Sequence, residues 1–392
     1  TLAAGDNRAD PELVKTLCEK VPESVEWLKK VGVQFKPGIY QIYGGLWPRC
    51  RNPVGQSGGD YIKACTQYAK KIGLPILTSH KVTSIIREKP DSGRVLGVEV
   101  DLGNGKKEYW KANKGVVAAA GGFAANPEMC AFFDPRLTKL NTTNQPGSTG
   151  EVLKAIQGIN GLAVGMDYIQ CIPWTAPGYK HTADIFQAIE YTVFLNKEGK
   201  RFVNESLSYK TIGEVSITQA NSSSFILFDE NIRRLQMSRR PVDNLLWSAF
   251  DKGMRPGYAV VGKTIFEAAD KAGLNPDSVN TTVLQYNSFV RNHFDPEFGR
   301  SSLTSGYGDL VPIAQSPFYI MPSIAAIMGT YCGLKVDCSC RVLKKNGLPI
   351  KGLYAAGEIM GGVHGMNYIT GTGLGKALVF GEIAGRSATE FS

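Results

Sequence analysis

The segment 352–385 constrains this chain more than any other. Gly352-Leu353-Tyr354-Ala355-Ala356 reads as a short apolar strand that stops at Gly357-Glu358. A loop dense in glycine follows, with Gly361, Gly362, Gly365, Gly371, Gly373 and Gly375, and 377–388 then reads as a helix. Glycine lets the backbone come within hydrogen-bonding distance of a flat or charged ligand and tolerates positive φ. A helix opening near Gly373-Leu374 aims unpaired amides and the positive end of its dipole at an anion or an electron-rich ring.

The rest of the chain supplies alternating helices and strands. Asp10-Pro11 has the form of an N-cap with proline at the first helical position. The helix it opens carries Leu13, Val14 and Leu17; Pro22 is expected to interrupt it before Val25, Trp27, Leu28 and Val31 continue the apolar face to Gly32. A helix is expected over 60–72, with Ile62, Cys65, Tyr68 and Ala69 on one side. The segment 75–78 reads as an apolar strand. Strands around 82–87, 95–100 and 107–110 form a meander with Gly103-Asn104-Gly105 as a hairpin turn. The continuous apolar run 115–120 fits a strand buried on both faces. It leads into Gly121-Gly122-Phe123 and a helix over 127–133. The middle of the chain is aromatic-rich (Tyr168, Trp174, Tyr179, Phe186, Tyr191, Phe194) and holds helices over 264–272 and 277–292.

Composition narrows the function classes. The chain has 392 residues, enough for two domains, and a formal charge of +9 spread over scattered Lys and Arg rather than a basic block. No nucleic-acid motif accompanies that charge. No run of about 18 apolar residues predicts a membrane-spanning helix, and no signal sequence opens the chain. The eight cysteines form no CxxC pair, and Cys338-Ser339-Cys340 lacks the second pair or histidine of a zinc site, so no metal is expected. Reduced thiols in a cytoplasm are expected, with a periplasmic location left open. Metalloprotease, serine hydrolase and P-loop motifs are absent.

Ala355-Ala356-Gly357-Glu358, Gly361-Gly362-Val363-His364-Gly365-Met366-Asn367 and Gly371-Thr372-Gly373-Leu374 together resemble the C-terminal FAD segment of the fumarate reductase and succinate dehydrogenase flavoprotein superfamily. The branch most similar is that of soluble fumarate reductases, urocanate reductases and 3-ketosteroid dehydrogenases. Ala118-Ala119-Ala120-Gly121-Gly122-Phe123, Thr143-Asn144-Gln145-Pro146-Gly147, Gly199-Lys200-Arg201-Phe202-Val203-Asn204-Glu205 and Gly333-Leu334-Lys335-Val336-Asp337 match further landmarks, so the resemblance covers nearly the whole chain. It implies an α/β (α+β) fold in which an FAD-binding domain (1–166 and 333–392) carries an inserted capping domain (167–332). It implies FAD contacts at Gly121, Gly122, Glu151, Glu358, His364, Gly373 and Leu374. Gly150-Glu151-Val152 stands where the family has Gly-Asp-Gly, so the longer Glu151 side chain must bend. Arg201 is expected to bridge the two domains by hydrogen bonds.

Two departures shape the expected function. The strand–GxGxxG–helix unit that holds the FAD pyrophosphate in the family is missing. The chain therefore reads as truncated, or as a subunit completed by a partner segment, with a non-catalytic flavoprotein as the rival to an enzyme. The second departure is at the substrate. Where fumarate-reducing relatives clamp a dicarboxylate with arginines and histidines, this chain has Ile172, Ile185, Ala188, Tyr209, Met328 and Tyr368. Burying two carboxylates there without guanidinium partners is costly. A bulky, largely neutral enone such as a ketosteroid fits better, with a C=C bond conjugated to a carbonyl reduced or formed, and an unidentified electron donor or acceptor as second reactant. Tyr209, Tyr368 and Tyr331 are the expected catalytic residues: a phenol can polarise the carbonyl or protonate an enolate.

Overall fold

In the computed structural model, the structure describes residues 1–40, 48–55, 57–89, 92–175, 191–239, 243–255, 257–303 and 308–390. Strand Pro349–Ala355 is the centre of a three-stranded sheet. It pairs antiparallel with Arg341–Leu343 and parallel with Val116–Ala118, in the register Leu353 to Val116 and Ala355 to Ala118. The helix Thr372–Glu390 packs against this sheet on one side and against the N-terminal helix Pro11–Lys30 on the other. At Gly375 a side chain would sit 3.1 Å from Val21 Cγ2, so glycine allows the two helices to approach closely.

The antiparallel meander Lys81–Lys89, Ser92–Asp101 and Lys107–Lys111 flanks this unit, turning through Asn104 at φ 53° as the Gly-Asn-Gly signal indicates. A second, larger sheet is built on the 13-residue strand Phe318–Thr330. Val260–Gly262, Ser223–Asp229 and Ile169–Thr175 pair with it antiparallel, and Asn141–Thr142 pairs with it parallel. Its two ends belong to two apolar cores. Ala325 and Ile327 pack with Leu353, Tyr354 and Phe380, whereas Phe318, Ile320 and Met321 pack with Phe228, Trp247 and Tyr286. The strand Ile169–Thr175 divides in the same way between Cys171 and Ile172.

Several local expectations change. Pro22 does not interrupt the first helix, which runs unbroken over Pro11–Lys30. The one hydrogen bond that proline removes is offset by an apolar face that continues through Leu28, although Trp27 is turned outward at 40% exposure. The second helix is Gly58–Lys71; it buries Ala64 and Ala69, while Ile62 is 70% exposed. The segment 75–78 forms no strand, and Leu74, Ile76 and Leu77 lie on the surface. The run 115–120 yields only the short edge strand Val116–Ala118, with Val117 at 38% exposure. Its outer edge has no strand partner among the described residues, so its backbone groups on that side are unpaired by a strand.

Arg201 is buried, but not as a bridge between domains. Its guanidinium donates to Glu205 Oε1 at 3.0 Å, to Glu205 Oε2 at 2.8 Å and to Asp295 Oδ2 at 2.9 Å, all within 167–332. Arg300 joins through Glu205 Oε2 at 3.1 Å. No helix among the described residues is long and apolar enough to cross a membrane.

Candidate functional site

Two parallel strands end side by side and lead into glycine turns. Val116–Ala118 runs on to Gly121-Gly122, and Pro349–Ala355 to Gly357-Glu358. The Ala356 amide donates to Ala118 O at 3.0 Å, which locks the strand ends together. Ligands of open α/β sheets bind beyond the carboxyl ends of such strands. Gly121 has φ 76°, and among the described residues the amides of Gly121 and Gly122 make no hydrogen bond. A methyl at Gly122 would collide with Thr330 Oγ1 and lie 2.6 Å from Glu358 Oε1. The two turns are therefore in contact, and glycine is required for that contact.

Glu358 is held from one side only. Its Oε1 accepts from the Thr330 amide at 3.0 Å and the Thr330 hydroxyl at 3.1 Å. Its Oε2 accepts nothing among the described residues and remains available to a hydroxyl. Below it, the buried Lys376 donates to Met360 O at 2.6 Å, and burial pulls its pKa down to about 8. The charge of Glu358 opposes that shift.

The glycine loop brings three of the expected residues into one cluster. Tyr331 and Tyr368 stack with centroids 5.1 Å apart and planes 9° from parallel. His364 stands edge-on to both, at 5.2 Å and 5.5 Å. His364 is 1% exposed, and its burial pushes the imidazole pKa well below the ordinary value, with Lys376 acting in the same direction. It is therefore neutral near pH 7. The Tyr368 oxygen accepts the Gly371 amide at 2.9 Å, leaving its own O–H free to donate. Burial raises the Tyr368 pKa, so the phenol stays protonated. The Tyr368 ring also covers Gly373, where a side chain would start 3.3 Å from Cε2; Leu374 beside it is 40% exposed.

Other expected residues lie elsewhere. Glu151 opens the helix Glu151–Gln157, but its carboxylate pairs with Lys81 at 2.6 Å on the surface and accepts from Thr149, outside the Glu358 cluster. Tyr209 is the first residue of the helix Tyr209–Ile217, capped by Ser208, whose Oγ accepts the Thr211 amide at 3.2 Å. Its side chain lies outside the described residues, as do Ile185 and Ala188 entirely. That helix crosses closely over the strand Ile169–Thr175: a side chain at Gly213 would sit 2.5 Å from Cys171 O. Ile172 is buried, and Met328 packs against the second core.

The sequence reading missed four participants. Thr330 orients Glu358, Lys376 lies under the loop, and Gln170 accepts the Tyr368 amide at 3.2 Å. Arg49 reaches the rim, donating to Thr370 O at 2.7 Å. None stands in a motif; Gln170 and Arg49 meet the loop across sequence separations that no local pattern reveals. No group of metal-ligating side chains occurs among the described residues.

The free amides of Gly121 and Gly122, the open face of Glu358 and the neutral aromatic cluster fit a large ligand with hydroxyls and a flat ring, which are the parts of a flavin dinucleotide. The comparisons with known proteins agree. Residues 1–374 match the family model described as FAD binding domain. The chain is 31% identical over 386 residues to the NADH:acrylate oxidoreductase of Vibrio harveyi, covering 97% of this chain and 37% of that protein. Among solved structures, the open conformation of a flavocytochrome c3 fumarate reductase superposes with a TM-score of 0.80 at 26% identity, covering 100% of this chain and 66% of that one. The 3-ketosteroid-Δ4-(5α)-dehydrogenase of Rhodococcus jostii RHA1 in complex with 4-androstene-3,17-dione gives 0.75 at 25% identity, covering 99% and 82%. The chain spans 37% to 65% of the length of the first curated relatives it matches. By fold, by the paired glycine turns at its strand ends and by these matches, the chain belongs to the FAD binding domain family, and FAD is its cofactor.

Proposed function

We propose that this chain is the flavin-holding and substrate-covering part of an oxidoreductase that reduces or forms a carbon–carbon double bond conjugated to a carbonyl, on a bulky and largely neutral substrate. The observation that carries this reading is the neutral cluster of Tyr331, His364 and Tyr368 beside the glycine loop. Bound FAD supplies the two-electron exchange with the double bond. Glu358 Oε2 accepts from a ribityl or adenosine hydroxyl, and the Gly121 and Gly122 amides meet an electron-rich edge. Tyr368 donates its O–H to the substrate carbonyl and polarises the conjugated system. Tyr209 donates the proton to the carbon alpha to the carbonyl, the one that does not receive the hydride, or takes that proton in the reverse direction. The second core closes over the substrate and excludes water. Arg49 at the rim offers one guanidinium, enough for a single carboxylate and short of the pair a dicarboxylate needs.

The relatives support the reaction class: their names speak of acrylate and fumarate, and one structural neighbour holds a ketosteroid. The test is anaerobic reduction of the FAD-loaded protein, then reoxidation by a panel of enones, enoates, steroids and fumarate. The best neutral or mono-anionic compound is expected to exceed fumarate at least a hundredfold in kcat/KM, about 2.7 kcal/mol of transition-state stabilisation. Efficient fumarate turnover would sink the substrate reading.

A second reading rests on two exposed apolar features. Val117 on the free edge strand and the exposed Trp27, Ile62, Ile72, Leu74 and Ile76 face solvent, and the latter five line a cleft of about 350 Å³. An apolar strand edge of this kind invites a further strand. In this reading a dinucleotide-binding segment outside residues 1–392 docks there and completes the FAD site. Purified 1–392 without flavin colour, restored by adding that segment, would favour it; a stable yellow protein would not.

A further inference from the structure

Among the described residues, two buried polar atoms beside Tyr368 have no partner. Gln170, on the strand Ile169–Thr175 opposite Gly329, is 2% exposed. Its Oε1 accepts the Tyr368 amide, which fixes the orientation of the carboxamide, because that amide can only donate. Gln170 Nε2 is thereby committed to the other side, where it is buried without an acceptor. Asn367, immediately before Tyr368 and 8% exposed, buries its Oδ1 without a donor. An unmade hydrogen bond at such a group is costly, because its desolvation goes uncompensated. A donor and an acceptor left open around one backbone amide are removed together by a ligand that brings the complementary pair. Gln170 lies where its strand passes from the first core at Cys171 to the second at Ile172, and its bond to the Tyr368 amide brings it to the residue that stacks on Tyr331.

We propose that Gln170 and Asn367 form the polar end of the substrate site. Gln170 Nε2 donates to the carbonyl oxygen, and Asn367 Oδ1 accepts from an N–H or O–H carried beside that carbonyl. The inference rests on the conjugated-carbonyl reading above and names its substrate class: a neutral conjugated carbonyl with an adjacent donor, such as a primary enamide, in preference to a bare enone.

The test compares cinnamamide with benzylideneacetone on the FAD-loaded parent, Gln170→Met, Gln170→Glu and Asn367→Leu, reading ligand Kd, flavin content, the visible flavin spectrum and melting temperature. The parent is expected to bind the amide about tenfold more tightly than the ketone. Gln170→Met weakens both ligands about tenfold, and Asn367→Leu weakens the amide alone, with flavin content unchanged. Gln170→Glu keeps the acceptor for the Tyr368 amide and loses the donor, so it repeats the loss even if the methionine variant folds poorly. A shifted flavin spectrum or weakened flavin retention with unchanged carbonyl affinity assigns Gln170 to the cofactor and overturns the proposal. Unchanged affinity in every variant assigns both residues to packing and also overturns it. If neither compound binds the parent while other enones reoxidise it, only the donor-bearing substrate class falls; if no conjugated carbonyl reoxidises the flavin, the reaction reading fails as well.

Discussion

Beside the second core, Arg201, Glu205, Asp295 and Arg300 form a buried network of charges, whereas the aromatic cluster beside the glycine loop is built from two phenols and an imidazole. Arg201, Glu205, Asp295 and Arg300 are all at most 6% exposed, and each charge meets an opposite one at 2.8–3.1 Å. His364 and Tyr368 are neutral, and the two orphan atoms near them belong to carboxamides. The difference lies in how the fold treats polar groups: in the network each charge faces an opposite one, and elsewhere a buried charge is held by backbone groups, as Asp229 is by three amides and Lys376 by the Met360 carbonyl. On the proposed function, a carbonyl meets the phenol and carboxamide donors of this cluster, whereas a dicarboxylate meets one guanidinium, that of Arg49, at the rim.

The comparison breaks first at the charged network. Glu205→Leu leaves two buried guanidinium groups short of a partner, which costs about 3–5 kcal/mol. A fall in the denaturant midpoint of this variant is expected; a change of less than about 1 kcal/mol would show that the network is not holding the second core. The network also fixes the turn that leads to Tyr209, because Arg300 Nε donates to Ser206 Oγ at 2.9 Å.

Tyr209→Phe tests the proposed proton donor. It keeps the ring and removes the hydroxyl, and kcat is expected to fall about a hundredfold or more with flavin content unchanged. Near-parental turnover would move the proton to Tyr331 or to solvent. Tyr368→Phe should act mainly on substrate affinity.

Glu358→Ala and Gly373→Val probe the flavin loop. Loss of a hydrogen bond to a carboxylate weakens FAD retention by about tenfold or more. Valine at 373 strikes the Tyr368 ring and should release flavin while displacing that ring. If both variants hold FAD as the parent does, this loop is not its binding site.

The smallest effect concerns Lys376, a buried charge bound to a carbonyl rather than to a carboxylate. Its folded pKa of about 8 lies below the ordinary lysine value of 10.5, so the unfolded chain holds more protons between those two pH values. Stability from this group therefore rises as pH increases through that window and is lowest below it. Lys376→Met should gain stability over the parent at pH 7, and that gain should shrink by about 1 kcal/mol by pH 9. Comparing melting temperatures of the two proteins at both pH values cancels the titration of the other groups.

Local signals were legible where a segment's neighbours along the chain dictate its form. The helix 127–133 is Pro127–Phe133, capped by Asn126, and Gly103-Asn104-Gly105 turns the meander. The strand and helix around the glycine loop are Pro349–Ala355 and Thr372–Glu390. The reading failed where burial depends on a distant partner. An apolar run such as 115–120 looks the same whether it is central or at an edge, and 75–78 has strand composition with nothing to pair. Arg201 was legible as structural, but not the identity of Asp295, 94 residues away, that completes its shell.

The family and the cofactor were legible in the sequence by itself, because glycine spacing and a strand that stops at Gly-Glu are local backbone requirements. Tertiary structure alone decided that Tyr331 stacks on Tyr368, that Thr330 turns one face of Glu358 outward, that Glu151 is engaged by Lys81, and that Gln170 faces the loop with an open donor. Those outcomes depend on which strands pair and in what register. A strand register places residues 160 or more positions apart against one another, as Ala326 against Asn141 shows, and no periodicity in the chain encodes that choice.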